Sequence, residues 1–263
     1  MRRKRRLLIL ATACALPLLA VAAGTAHADT IIAISQLRGF HQMAVDTSVS
    51  PGYILMAGSS SIVVTDLGGT YITSIEPGDG VGGIALSPDG STLYAALTAG
   101  TNADSIAAIT VSATPTQVTT YSLGAGDVPD SLAVQSGKLW VSYSDGAGIH
   151  PGAIGDIDLS TGTFGAQATT STWPSPPDLA ADPSDTGVLV AVLPGAAPAT
   201  AETFTTTTDS DSATRLSAQG VLGATGGMCS NEHQLAVFPG GTELTSGDPV
   251  RPDPDHAADG IPR

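Results

Sequence analysis

The chain has 263 residues and a formal net charge of −14, with 24 Asp+Glu against 10 Lys+Arg. Such a surface repels nucleic-acid phosphates and anionic lipid, because it offers few cations to neutralise them. Two cysteines cannot build a disulfide framework, so hydrophobic burial and sheet hydrogen bonds must hold the fold.

Residues 1–28 read as a secretory signal peptide. Arg2, Arg3, Lys4, Arg5 and Arg6 form a positive n-region, and residues 7–22 form an apolar run. That run falls short of the ~20 residues a membrane-spanning helix needs. Ala26-His27-Ala28 supplies small residues where a signal peptidase cuts. A lipid anchor on Cys14 fits poorly, since Ala11 stands where a large aliphatic is expected. The reading predicts a secreted chain starting at about Asp29, with one cysteine, Cys229. Cleavage would remove five of the ten basic residues and no acid, leaving −19.

Beyond residue 29, apolar residues do not recur at helical spacing over three turns. Short β-rich runs recur instead: Ser61-Ile-Val-Val-Thr65, Thr92-Leu-Tyr-Ala-Ala-Leu97, Ser105-Ile-Ala-Ala-Ile-Thr-Val111, Lys138-Leu-Trp-Val-Ser-Tyr143 and Gly187-Val-Leu-Val-Ala-Val192. Gly, Pro, Asp, Asn and Ser clusters separate them, which predicts an all-β sandwich, barrel or propeller.

A repeat decides between these. An Ala beside an aliphatic, then a turn, then a second strand recurs around Ala44, Ala85, Ala133, Ala180 and Ala236. The spacings are 41, 48, 47 and 56 residues, close to the ~40–50 of one four-stranded propeller blade. The reading places each Ala on an innermost strand, where side chains crowd a central channel, and gives the flanking aliphatics to the layer between blades. In the second repeat, Ile84-Ala-Leu is strand one and Ser87-Pro-Asp-Gly90 a tight turn. Residues 91–97, 105–111 and 117–122 supply its other strands. The third repeat uses residues 132–135, 138–143, 154–159 and 164–169.

The phrase Ile84-Ala-Leu-Ser-Pro-Asp-Gly-Ser-Thr-Leu-Tyr-Ala-Ala-Leu97 resembles the YVTN-type repeat, a relative of WD40-like blades. The resemblance is to secreted actinobacterial proteins that carry a propeller before Ig-like repeats, and it covers about residues 43–247. It implies a binding or surface module and carries over no catalytic residues. Complete members would have about seven blades; here four full repeats precede the opening of a fifth, residues 235–244. Residues 29–247 are therefore read as a partial propeller, an incomplete ring. Residues 248–263 hold four Pro and four Asp and read as a disordered or out-of-frame tail, unable to form the strand due after Pro239-Gly-Gly241. An open arc of this kind would expose a sheet edge and an apolar blade face.

Candidate chemistry is sparse. His41, His150, His233 and His256 lack the close pairing of a zinc site. Asp156 with Asp158, and Asp209 with Asp211, could suit Ca²⁺ by spacing but lack the Gly and Glu of an EF-hand loop. They read as strand-end, turn or solvated residues. Gly58-Ser-Ser-Ser-Ile62 is no nucleophile elbow. Trp140 is expected in inter-blade core. Trp173, in Ser171-Thr-Trp-Pro-Ser-Pro-Pro177, is the candidate for an exposed ligand or partner contact. No cofactor or metal is expected. The expected function is a secreted, non-enzymatic module that binds extracellular protein, glycan or cell-wall polymer. The alternatives are a lactonase-like or quinoprotein-like enzyme and a truncated product without independent function.

Overall fold

The computed structural model describes residues 33–247 apart from 50, 79, 113, 146–151, 168–172, 183–186, 194–199, 207–213, 216–219, 222–233 and 238–243. The signal-peptide and tail readings, and those for His150, His233, His256, Asp209, Asp211 and Cys229, lie outside the described residues.

The architecture is all-β. Among the described residues the helical content is one 3-10 turn, Gly100–Asn102. The first sheet is β1 (Gln42–Asp46), β2 (Tyr53–Ala57), β3 (Ile62–Asp66) and β4 (Tyr71–Ile75), paired in that order. The second is β5 (Val81–Leu86), β6 (Thr92–Leu97), β7 (Ser105–Thr110) and β8 (Gln117–Ser122). The third is β9 (Asp127–Gln135), β10 (Lys138–Asp145), β11 (Ala153–Asp158) and β12 (Thr163–Ala166). The fourth is β13 (Asp178–Ala181), β14 (Val188–Val192) and β15 (Thr200–Thr205). Its outer position is split between β16 (Thr214–Arg215) and β17 (Gly220–Val221), both paired to β15. A hairpin of β18 (Gln234–Val237) and β19 (Leu244–Gly247) opens a fifth. The strand expected to be missing after Pro239-Gly-Gly241 is thus present as β19, and it forms before the Pro/Asp-rich tail begins.

All pairings are antiparallel and, apart from β15 with β17, join consecutive strands; the innermost strands β1, β5, β9, β13 and β18 neighbour one another in chain order. Among the described residues this is a β-propeller of four-stranded blades whose sheets do not close into a ring. The repeat alanines occupy equivalent registers: Ala44 opposite Leu55, Ala85 opposite Tyr94, Ala133 opposite Trp140, Ala180 opposite Val190 and Ala236 opposite Thr245.

The alanines do not line the channel as expected. Strand side chains alternate between faces, and the two faces of each inner strand meet different blades. Ile84 packs back into the layer shared with the first blade, where Ala44 also lies. Ala85 packs forward, into the layer that holds Leu132. Ala133 likewise shares a layer with Leu179. Strands β1, β5 and β9 therefore each offer a small residue forward and receive a large one from their successor. Volume is limited by the next blade's aliphatic, not by the axis. These layers hold the fold: full burial of an aliphatic side chain such as Ile84 or Leu93 stabilises by ~1.5–3 kcal/mol.

The β5–β6 turn shows why the sequence breaks there. Gly90 has φ +72°, a conformation that suits glycine. Asp89 accepts hydrogen bonds from Ser87 Oγ at 2.6 Å, Ser91 Oγ at 2.8 Å and Ser91 N at 3.0 Å. Those donors hold its pKa down to about 2.

Candidate functional site

The inner strands begin at one end of the propeller axis, and polar groups from four blades collect there. Two residues before Ala44, Gln42 Oε1 accepts a hydrogen bond from Ile84 N at 2.8 Å. Two residues before Ala133, Ser131 Oγ accepts one from Leu179 N at 2.9 Å. Both link a blade to its successor through the same repeat position. The second blade has Gly83 there. A Cβ on Gly83 would stand 2.6 Å from Asp130 O and 2.9 Å from Ser131 Cα, so only glycine lets the third blade's inner strand approach.

Around this seam lie His41, Asp130 and Asp178, from the first, third and fourth blades. Asp130 keeps an exposed edge, yet the surrounding strands strip much of its water. That desolvation raises its pKa, and nearby His41 pulls the other way. Half-buried Asp178 is pushed up to about 7, first by desolvation and then by the negative charge of Asp130. Near neutral pH Asp178 therefore exchanges its proton, beside the Asp130 side chain whose own pKa is also raised. Such a pair can accept and donate hydrogen bonds at once.

The residues singled out from sequence fall elsewhere. Trp173 is not an exposed contact: it is 1% exposed, inside the layer between the third and fourth blades with Trp140, Leu179 and Phe204. The cause is local. It forms a bridge with Gly152, whose missing Cβ would lie 2.1 Å from Ser175 O, and this close approach carries the proline-rich loop inward. Its indole N–H is buried without a hydrogen-bond partner. Trp140 lies in the same layer, as inter-blade core, and donates to Gln135 O at 3.2 Å.

Asp156 and Asp158 have separate roles. Asp156 is not a strand-end residue but a buried mid-strand one, paired with Lys138 Nζ at 2.9 Å and accepting a hydrogen bond from Gln167 Nε2. Asp158 caps the turn before β12, accepting from Ser160 Oγ and N, and those bonds lower its pKa. Among the described residues no three His, Cys, Asp or Glu side chains are placed to hold a metal ion. Sequence reading missed Asp130 and Asp178. The one available signal is their place two or three residues before a repeat alanine.

No family model and no curated protein matches the sequence. Solved structures match the fold. Hydrazine synthase of Kuenenia stuttgartiensis aligns with a TM-score of 0.59 at 16% identity, over 84% of this chain and 57% of that one. The Dos1 propeller aligns at 0.52 and 14%, over 79% and 52%. The WD40 domain of Toxoplasma gondii coronin aligns at 0.55 and 8%, over 76% and 48%. At these identities the likeness concerns the propeller fold alone. The chain spans about half the length of each.

Proposed function

We propose that this protein is a secreted, non-enzymatic β-propeller module of the YVTN type, and that it binds an extracellular glycan or cell-wall polymer at the axis end carrying His41, Asp130 and Asp178. The coupled carboxyl pair carries this reading. Two carboxyl groups whose burial pushes their pKa values up can donate as well as accept hydrogen bonds, and so complement ligand hydroxyls, which do the same. The acidic surface disfavours polyanionic partners. The basic n-region, apolar run and Ala26-His27-Ala28 support export, and the repeat around Ser87-Pro-Asp-Gly90 supports the YVTN assignment.

Co-sedimentation with insoluble cell-wall polysaccharide tests it. The wild-type chain should pellet, and Asp130→Asn with Asp178→Asn should abolish pelleting while the β-type circular dichroism spectrum is kept. Equal pelleting by the double variant would refute the site.

The same pair supports a second reading. A carboxyl pushed up to about 7, with a second carboxyl nearby, also suits general acid–base catalysis. Turnover of a lactone or aryl glycoside that is lost in Asp178→Asn would favour the enzyme.

A further inference from the structure

We propose, building on the binding reading above, that Ser131 and Ser142 are positioning residues: together they hold the Asp130 and Asp178 carboxyl groups at one spacing. Strand β9 is bulged where it carries Asp130. Leu132 pairs with Val141 and Pro129 with Tyr143, so Asp130 and Ser131 together stand opposite the single residue Ser142. A bulge re-aims a side chain and leaves a ladder position unpaired. Here Asp130 is exposed and Ser131 buried. Buried Ser142 supplies an acceptor in place of the ladder: its Oγ takes the Ser131 N–H at 3.0 Å. Ser131 Oγ in turn takes the Leu179 N–H of the next blade at 2.9 Å.

These two bonds run in a chain across β10, β9 and β13. Ser131 and Leu179 directly follow Asp130 and Asp178 in sequence, so each carboxyl group stands one residue from a tied backbone. The second blade is an internal control. Its inner strand carries the same bulge, with Gly82 and Gly83 opposite Ala96. Glycine there replaces both Asp130 and Ser131, and alanine replaces Ser142. A bulge therefore forms without serines, and of the two bulged blades the one with serines is the one that carries a carboxyl group. The glycine pair also seats Asp130 from behind, since a Cβ on Gly82 or Gly83 would lie 3.1 or 2.6 Å from Asp130 O. The Asp130 backbone is thus pressed against the second blade and tied to the fourth. That tie keeps Asp178 within the field of Asp130, while His41 acts on Asp130 from the first blade.

Carbon-13 NMR titration of the aspartate carboxyl groups in the full chain tests the positioning with no glycan present. In the wild-type background Asp130→Asn should lower the Asp178 midpoint, because a neighbouring negative charge is removed. In Ser131→Ala the Asp178 midpoint should itself fall from about 7 toward 3.8, because the freed Leu179 N–H draws in water. Adding Asp130→Asn should then move it no further. Ser131→Thr keeps the oxygen and should restore the wild-type response. Ser142→Ala leaves the Ser131 hydroxyl in place and should also shrink the Asp130→Asn shift, so it carries the test where Ser131→Ala does not fold. A full-sized Asp130→Asn shift in either folded alanine variant would overturn the proposal. Co-sedimentation reads the ligand separately. A wild type that does not pellet while the titrations behave as expected sinks the glycan reading and supports the positioning; pelleting with an undiminished shift does the reverse.

Discussion

Asp178 makes the stability of this protein depend on pH in a direction opposite to that of most aspartates. Its pKa stands at about 7 against an ordinary 3.8, because folding desolvates it and brings Asp130 close. Between about pH 4 and pH 7 the folded chain keeps a proton that the unfolded chain has lost. Stability therefore falls as pH rises through that window and levels off above it. At about 1.4 kcal/mol per pH unit the ceiling is roughly 4 kcal/mol. Asp178 is only half-buried, and solvent screening brings the expected value nearer to ~2 kcal/mol. Asp178→Asn keeps the shape and cannot ionise. It should raise stability at pH 8 by ~2 kcal/mol and change little at pH 4. Urea unfolding followed by tryptophan fluorescence reads this directly, since Trp140 and Trp173 are both buried. If the variant and the wild type lost stability in parallel from pH 4 to pH 8, the desolvation of Asp178 would be wrongly placed.

Three further outcomes follow from packing. Ala133→Leu should cost ~1–3 kcal/mol by crowding Leu179 across the layer, seen as a lower urea midpoint at unchanged slope. Lys138→Ala should cost ~3–5 kcal/mol by stranding buried Asp156, whereas Lys138→Met with Asp156→Leu should cost far less, a contrast that thermal unfolding would resolve. Gly83→Ala should destabilise by ~1–3 kcal/mol, because the new methyl meets the backbone of Asp130 and Ser131. Its calorimetric midpoint should fall while that of Gly126→Ala, whose Cβ meets open space, falls only by the strain of its positive φ.

The blade repeat was legible because it is local. Ile84-Ala-Leu-Ser-Pro-Asp-Gly90 carries its own strand, turn and return, so the register of β5 on β6 needs no distant partner. Part of the Thr-rich run after Ala201 forms β15, where Phe204 is buried against the third blade, a contact with no local signal in the sequence. Trp173 was misplaced because a proline-rich flank suggests exposure, while the deciding contact, Gly152 against Ser175, joins residues from different parts of the blade. Asp130 and Asp178 could not be recognised at all. Neither has an unusual neighbour in sequence, and their shifted pKa values arise from strands that lie about one repeat apart.

The alternation on the inner strands also has a direction. A blade presents alanine forward and an aliphatic backward, so it fits its successor and not a copy of itself turned around. An arc built this way has two unlike ends. Pairing of unlike ends closes into a ring only if the accumulated rotation returns to the start, and otherwise grows into an open helix.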